Sequence, residues 1–268
     1  MTTLSLLRVA GLVLGVSMMM ATAVNADPLK DEIAPTGRLR VAVAISAAGG
    51  AFWSTRNEAG GYAGVPVDLG KEMAAQLGVP VEYVAYQNSG QITDAAQKDA
   101  WDVTFVPKDG EREASMSFGP TYELADATYI VKAGSSITNF ATLDQPGVKV
   151  AAVNNTTTMR GAIAHLRNAK VTGYQTYDEI FDQLKTGQID AFALAREQLD
   201  AMAKKIPGTR VIDEAFKQTV RAVAVPPNHP LALAFASKFL TEAATNGTLR
   251  KAYDNNGLKY NPIKAQMK

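Results

Sequence analysis

Arg112 stands in an irregular loop just after a short apolar run, Asp102 to Val106, that reads as a strand. Pro107 and Gly110 break the run, and Phe118-Gly-Pro-Thr-Tyr122 is expected to turn the chain again. A strand ending in a loop that carries a charge is where α/β proteins place ligand contacts. Glu111-Arg112-Glu113 reads equally as a solvated charge run, and the residues alone leave both readings open. A second polar stretch, Asn154-Asn-Thr-Thr-Thr158, follows another apolar run and precedes a helix, where threonines serve as N-caps. Phe52 and Trp53 sit together in a long glycine-rich loop; as neighbours they point in different directions, so at most one is expected to face the cleft. Trp101, just before a strand, reads as core, with Tyr86 and Tyr122 as rim candidates.

The chemistry absent from the chain is equally informative. It has no cysteine, so no disulfide, thiolate metal site or cysteine nucleophile. Its two histidines, His165 and His229, are far apart in sequence, which argues against a metal centre, and no cofactor is expected. There is no Gly-x-Ser-x-Gly elbow, no phosphate-binding glycine loop with lysine and no His-Glu-x-x-His.

Residues 1–26 read as a cleavable leader. Arg8 is their only charge, Val9 to Met20 is an apolar run too short to span a bilayer, and Val24-Asn-Ala26 is a small-x-small cleavage site. An exported protein, free in the periplasm, is the expectation. Without the leader, 26 basic side chains balance 26 acidic ones, which argues against a nucleic-acid partner.

The remaining chain alternates strands and helices. Strands are expected over 38–45, 81–85, 102–106, 127–132, 149–153, 171–174, 190–194 and 220–225. Helices are expected over 67–77, 92–98, after the threonine loop to about 168, and over 177–185, 197–206 and 230–245, with a short last one ending near Gly257. Residues 27–36 read as a polar leader and 46–64 as irregular. The pattern implies an α/β fold with sheets covered on both faces. A short internal echo links Gln97-Lys-Asp-Ala-Trp-Asp-Val-Thr-Phe105 to Lys185-Thr-Gly-Gln-Ile-Asp-Ala-Phe192, each a helix end, a polar turn, an apolar residue, an aspartate and a strand. Two lobes built on such units would face each other across a cleft.

These residues resemble the type II periplasmic solute-binding proteins of ABC importers, in the polar amino acid-binding group, family 3 type. The resemblance runs from about Gly37 to Gly257. It is carried by Gly37-Arg-Leu-Arg-Val-Ala-Val43, Gly64-Val-Pro-Val-Asp-Leu69, Ala75-Gln-Leu-Gly-Val79, Trp101-Asp-Val103, Glu111-Arg112, Ser117-Phe-Gly-Pro-Thr-Tyr122, Val150-Ala-Ala-Val153, Asn155-Thr-Thr157 and Gly187-Gln-Ile-Asp-Ala191. It implies two lobes joined by two crossing strands: lobe 1 over about 37–124 plus 222–268, lobe 2 over about 125–221. It also implies hinge closure on the ligand, a monomer, and docking on an importer permease in the inner membrane.

Within the resemblance, Arg112 matches the arginine that grips the ligand carboxylate, which suits its planar donor fork. Asn155, Thr156 and Thr157 match the opposing threonine loop, where free N–H groups and the helix dipole favour an anion. Three positions depart. Where the family places an aspartate for the ligand ammonium stand Ala195 and then Arg196. Asn88 takes the place of a capping aromatic, and a second aromatic position falls at Gly49, with Phe52 and Trp53 nearby instead. The segment Pro107-Lys108-Asp109-Gly110 also replaces a Ser/Thr-rich one. An unpartnered buried ammonium is costly. The expected ligand is therefore a small carboxylate or other anion held by Arg112, with Arg196 as a second cation. The alternative is an acid supplied by Asp109, Glu111 or Asp68, although Asp68 also reads as a helix cap. Arg160 would add charge or face solvent. A binding protein for a small polar acid is the leading reading. An enzyme, a dehydratase of prephenate-like acids with Glu111 or Lys108 as the acid, is the second. A sensory module serving a membrane receptor is the third.

Overall fold

The computed structural model describes residues 27–46 and 52–260. The leader reading of residues 1–26 and the aligned position Gly49 lie outside the described residues. Among the described residues, no helix is long and apolar enough to cross a membrane.

One half of the sheet is built on β1 (Leu39–Ile45), flanked in parallel by β4 (Val81–Tyr86) and β5 (Val103–Lys108). Side chains of β1 alternate between two cores. Leu39, Val41 and Val43 pack under α2 (Val65–Leu77), α9 (Pro230–Thr245) and α10 (Thr248–Asn255); Ala42 and Ala44 face the other side with α3 (Ser89–Ala95). The other half repeats the design. There β7 (Lys149–Val153) lies between β8 (Lys170–Tyr174) and β9 (Ala191–Ala195), again parallel, with α6 (Thr157–His165), α7 (Tyr177–Thr186) and α8 (Arg196–Lys205).

The sequence echo has a structural cause. The Asp102 carboxylate accepts the Arg40 amide at 2.7 Å, and the Asp190 carboxylate accepts the Lys149 amide at 2.8 Å. In each half an aspartate before the third strand pins the amide at the start of the first. Asp102 adds an ion pair with the Arg40 guanidinium at 2.6 Å.

Two long antiparallel strands join the halves. β11 (Lys217–Val225) pairs with β5 of the first half, and β6 (Ser117–Lys132) pairs with β9 and with β10 (Thr209–Val211) of the second. They pair with each other throughout, from Lys217↔Ala127 to Val225↔Ser117.

Phe118 to Tyr122 therefore does not turn the chain; it lies within β6. The register slips twice there, between Glu123 opposing Arg221 and Thr121 opposing Ala222, and again before Phe118 opposing Ala224, so β6 carries two extra residues. Such a bulge accommodates Gly119 and Pro120 in a strand. Gly119 fits because a Cβ would stand 2.6 Å from Ser237 Oγ and 2.7 Å from Val223.

Other segments also differ from the sequence reading. Residues 27–36 contain α1 (Pro28–Ile33), capped by the Asp27 carboxylate on the Leu29 and Lys30 amides and anchored by buried Ile33. The 46–64 stretch contains a hairpin, β2 (Trp53–Arg56) with β3 (Tyr62–Ala63). β5 continues through Pro107, which opposes Arg221 in β11. Gly64, rather than Asp68, caps α2; Asp68 accepts from the Asn255 and Asn256 side chains. Two single turns, α4 (Gly110–Glu113) and α5 (Phe140–Leu143), complete the set.

Candidate functional site

A small cavity of ≈ 30 Å³ lies between the two halves. Phe52 and Trp53 form one wall, edge to face with ring centroids 5.2 Å apart. Ser89 at the start of α3 and Pro107 of β5 also belong to the first half. Thr156, Thr157 and Thr158 at the start of α6, together with Leu194, Ala195 and Gln198, come from the second half. Ala125, Thr219 and Arg221 come from the crossing strands. A wider open groove of ≈ 500 Å³ runs past Asp109, Glu111, Arg160 and Lys217. Its Asp109, Glu111 and Arg160 side chains are paired with one another, whereas the smaller cavity is lined by buried donors without partners. The smaller cavity is therefore the candidate site.

Arg112 is 1% exposed and stands directly behind the first-half wall. Its Nη1 donates to the Pro107 carbonyl at 2.7 Å and its Nη2 to Ser89 Oγ at 2.6 Å, both lining residues of the first half. Its Nε has no partner among the described residues. Asp109 caps α4 through the Arg112 amide, which fixes the loop that carries the guanidinium. Burial pushes the Arg112 pKa down to about 10, so it stays charged at neutral pH.

Across the cavity, the Thr156 side chain accepts the Met159 amide and donates to the Val153 carbonyl at 2.7 Å. Thr156 thus caps α6 while it lines the cavity, so the capping and ligand-facing readings are compatible. The N-termini of α6 and α8 both reach the cavity and add partial positive charge.

Arg221 was not a sequence candidate, yet it lines the cavity and is 1% exposed. Its Nη1 binds Glu123 and its Nη2 binds Glu197; its Nε has no partner among the described residues. Burial opposes its charge, but Glu197 and Glu123 together hold its pKa well above the ordinary value. Burial raises the Glu123 pKa in spite of Arg221. The signal was present in the sequence: an arginine inside the apolar run Val220 to Val225 requires buried acid partners.

The other sequence candidates divide. Phe52, Trp53, Thr156, Thr157 and Ala195 line the cavity; both aromatics face it, not one as expected, because they pack edge to face in the same wall. Asn88 and Asn155 do not; they tie the halves together. Asn88 Nδ2 donates to the Gln175 carbonyl at 2.7 Å, and Asn155 Nδ2 to Asp94 at 2.8 Å. Arg196 does not line the cavity. It opens α8 and turns outward, its Nη2 donating to the carbonyls of Asp213 at 2.6 Å and Glu214 at 3.1 Å. Tyr122 is core, and Trp101 is fully buried with its Nε1 on the Ile92 carbonyl. His165 stacks on Phe216 in an aromatic cluster, and His229 Nδ1 lies 2.8 Å from the Pro227 carbonyl.

None of the described residues lining the cavity is acidic. Asp109 and Glu111, both candidate acid partners, pair with Arg160, the latter at 2.9 Å. Asp68 lies on the far side of α2 against α10. Residues 47–51 are alanines and glycines, so they supply no ionisable side chain.

The halves are closed on one another. Trp53 and Tyr177 approach with ring centroids 6.0 Å apart, and Arg160 reaches across to Asp109 and Glu111. Gly90, at the start of α3, permits this approach. A Cβ there would stand 2.7 Å from Asn155 Cβ and 2.9 Å from the Asn154 carbonyl.

Comparison with known proteins agrees with this architecture. The chain is 31% identical over 108 residues to the glutamine-binding protein of Geobacillus stearothermophilus, covering 40% of this chain and 41% of that protein. It is 30% identical over 167 residues to the cyclohexadienyl dehydratase of Pseudomonas aeruginosa, 60% of each. The matched region thus spans about two-fifths to three-fifths of the length of these curated relatives. Among solved structures, the ancestral amino acid-binding protein AncCDT-1, described as a precursor of cyclohexadienyl dehydratase, superposes with a TM-score of 0.75 at 29% identity. That match covers 85% of this chain and 99% of that one. With a fold of two lobes joined by crossing strands and a family model matched over residues 41–258, the chain belongs to the bacterial extracellular solute-binding proteins, family 3.

Proposed function

We propose that this protein captures a small carboxylate-bearing solute in the periplasm by lobe closure and delivers it to an ABC importer permease. In this reading lobe 1 comprises residues 37–124 plus 222–268 and lobe 2 residues 125–221. The protein works as a monomer, and its leader is removed after Ala26. Relatives named as glutamine-binding support a solute-capturing role. The observation that carries the ligand class is the composition of the cavity: donors and helix N-termini, Arg112 directly behind the wall, and no carboxylate among the described lining residues. An α-ammonium there would have no counter-charge, whereas a carboxylate is matched on both sides. The favoured ligand is thus an organic acid without an α-amino group. Thermal-shift and calorimetric screening of α-amino acids against their deaminated counterparts tests this. Stabilisation by the deaminated acids is expected, because a ligand at a hundred times its Kd adds about 2.7 kcal/mol. Stabilisation only by α-amino acids would overturn the ligand class and leave solute capture standing.

The dehydratase relative favours a second reading, turnover of a prephenate-like acid. Such chemistry needs a positioned general acid. Glu111 is exposed and paired with Arg160, which favours capture over catalysis. Release of dehydrated product from such an acid, lost in Glu111→Gln, would reverse that preference.

A further inference from the structure

The wall formed by the crossing strand and α8 has a chemistry of its own. Arg221 and Gln198 are each 1% exposed, and both line the cavity. Arg221 Nε and Gln198 Nε2 have no hydrogen-bond partner among the described residues. Their neighbour in the wall, Thr219, already donates to the Ala125 carbonyl at 3.2 Å. Buried donors are seldom left without an acceptor, because the lost hydration is not recovered. Two unmatched donors on one wall therefore call for an acceptor from the bound molecule.

The charge around Arg221 decides what kind of acceptor. Its Nη groups already hold two carboxylates, Glu123 and Glu197. A carboxylate of the ligand would be the third anion around one guanidinium. An ammonium would face the positive Arg221 guanidinium and the Gln198 Nε2 donor, with the Gln198 Oε1 as the one acceptor of the pair. A neutral oxygen matches the donors and leaves the charge balance unchanged.

Taking the cavity as the ligand site, as above, we infer that Gln198 and Arg221 form a specificity subsite for a neutral oxygen acceptor, such as a keto or amide oxygen. The ligand is then a monocarboxylic acid bearing a second, uncharged oxygen function. Its carboxylate takes the Arg112 and Thr156–Thr157 side, and its second oxygen takes the Gln198–Arg221 side. Phe52, Trp53 and Leu194 line the space between them, which at ≈ 30 Å³ must widen to admit the carbon chain. Gln198 rather than Arg221 is the residue to vary, because it carries no charge and its Nε2 has no partner among the described residues.

Calorimetry with a matched five-carbon series tests the subsite: pentanoate, 2-oxopentanoate, 4-oxopentanoate, glutarate and 5-aminopentanoate at pH 7.5. At least one oxo acid is expected to bind tenfold or more tighter than pentanoate, with glutarate and 5-aminopentanoate no better than pentanoate. Gln198→Leu and Gln198→Met should each bring the oxo acid's affinity to within about twofold of pentanoate's in the same variant, a loss of discrimination that general damage to the fold would not produce. If pentanoate binds but no oxo acid is preferred, or the preference survives both variants, the subsite is wrong and the carboxylate reading stands. Preference for glutarate also overturns the subsite, since it would require Arg221 to accept a third anion. If no member of the series binds, the reading of the cavity falls and the subsite with it.

Discussion

Arg112 and Arg221 are linked through a single residue. Pro107 opposes Arg221 in the β5–β11 ladder, and its carbonyl accepts the Arg112 Nη1–H at 2.7 Å. Two guanidinium groups, each 1% exposed, thus flank one strand end at the cavity. Their surroundings differ. Arg221 is neutralised by two carboxylates, whereas the side chain of Arg112 is held by neutral oxygens. Arg112 is therefore the cation with charge left for a ligand anion.

Arg112→Ala should weaken binding of the best carboxylate by at least ~2 kcal/mol, about thirtyfold, the scale of truncating one partner of a buried charged pair. Arg112→Lys should recover only part of it, because an ammonium cannot hold the Pro107 carbonyl and Ser89 Oγ while presenting a planar fork. Titration calorimetry reads both. Equal affinity in the wild type and Arg112→Ala would remove Arg112 from the site.

At Arg221 the expected effect is on stability. Arg221→Met leaves Glu123 buried and unpaired, a change that costs about 3–5 kcal/mol at neutral pH. Burial already raises the Glu123 pKa, so its folded-state value lies above its unfolded one. The folded state then holds more protons between those two values, and Glu123's contribution falls as pH rises through that window. Removing Arg221 raises Glu123 further and widens the window upward. The penalty of Arg221→Met should therefore be smaller at pH 5 than at pH 7.5, and Glu123→Gln in the same chain should recover much of it at the higher pH. Urea melts of the single and double variants at both pH values measure this. A pH-independent penalty would show that the unpaired carboxylate is not its source.

Closure of the lobes depends on a glycine as well as on the ion pairs of Arg160. With a Cβ at Gly90 only 2.7 Å from Asn155 Cβ, the backbones of α3 and the threonine loop cannot approach as they do. Gly90→Ala should weaken ligand binding tenfold or more, chiefly through faster release, with little change in melting temperature. Small-angle scattering with saturating ligand should show a larger radius of gyration for the variant than for the wild type. Identical scattering and affinity would mean that the lobes close in another way. Arg160→Ala, which removes the contacts to Asp109 and Glu111, should shift the unliganded protein in the same direction to a smaller degree.

Much of the fold was readable because local signals agreed with the tertiary arrangement. The Asp102 and Asp190 echo appears in the sequence because both aspartates perform the same task, pinning a first-strand amide. Gly78 ends α2 in the left-handed conformation expected of a helix-stopping glycine. Phe118 to Tyr122 was misread because Gly and Pro mark a bulge as readily as a turn, and only the partner strand distinguishes them. At the site, adjacency to Ala195 suggested Arg196, but α8 begins there and turns successive side chains by about 100°. Gln198 faces the cavity and Arg196 does not. Arg221 depends on Glu123 and Glu197, which lie 98 and 24 residues away, so no local pattern could identify its partners.

Ala195 gives the most direct test of ligand class. It is 8% exposed, at the end of β9, and lines the cavity beside Leu194 and Gln198. It occupies the place where amino acid-binding relatives are expected to hold the ligand ammonium with an aspartate. Ala195→Asp would add the carboxylate that the wall lacks. An acid without an amino group would then meet a like charge, whereas its α-amino counterpart would gain an ion pair in a poorly hydrated site, where such pairs are stronger than in water. The ratio of affinities for 2-aminopentanoate and pentanoate should therefore rise tenfold or more in the variant, through both a loss for pentanoate and a gain for the amino acid. Competition calorimetry against the wild type reads the ratio directly. If the wild type already prefers 2-aminopentanoate and Ala195→Asp leaves the ratio unchanged, the ammonium is held elsewhere in the cavity. Glu197 and Glu123, behind Arg221, would then be the next carboxylates to vary.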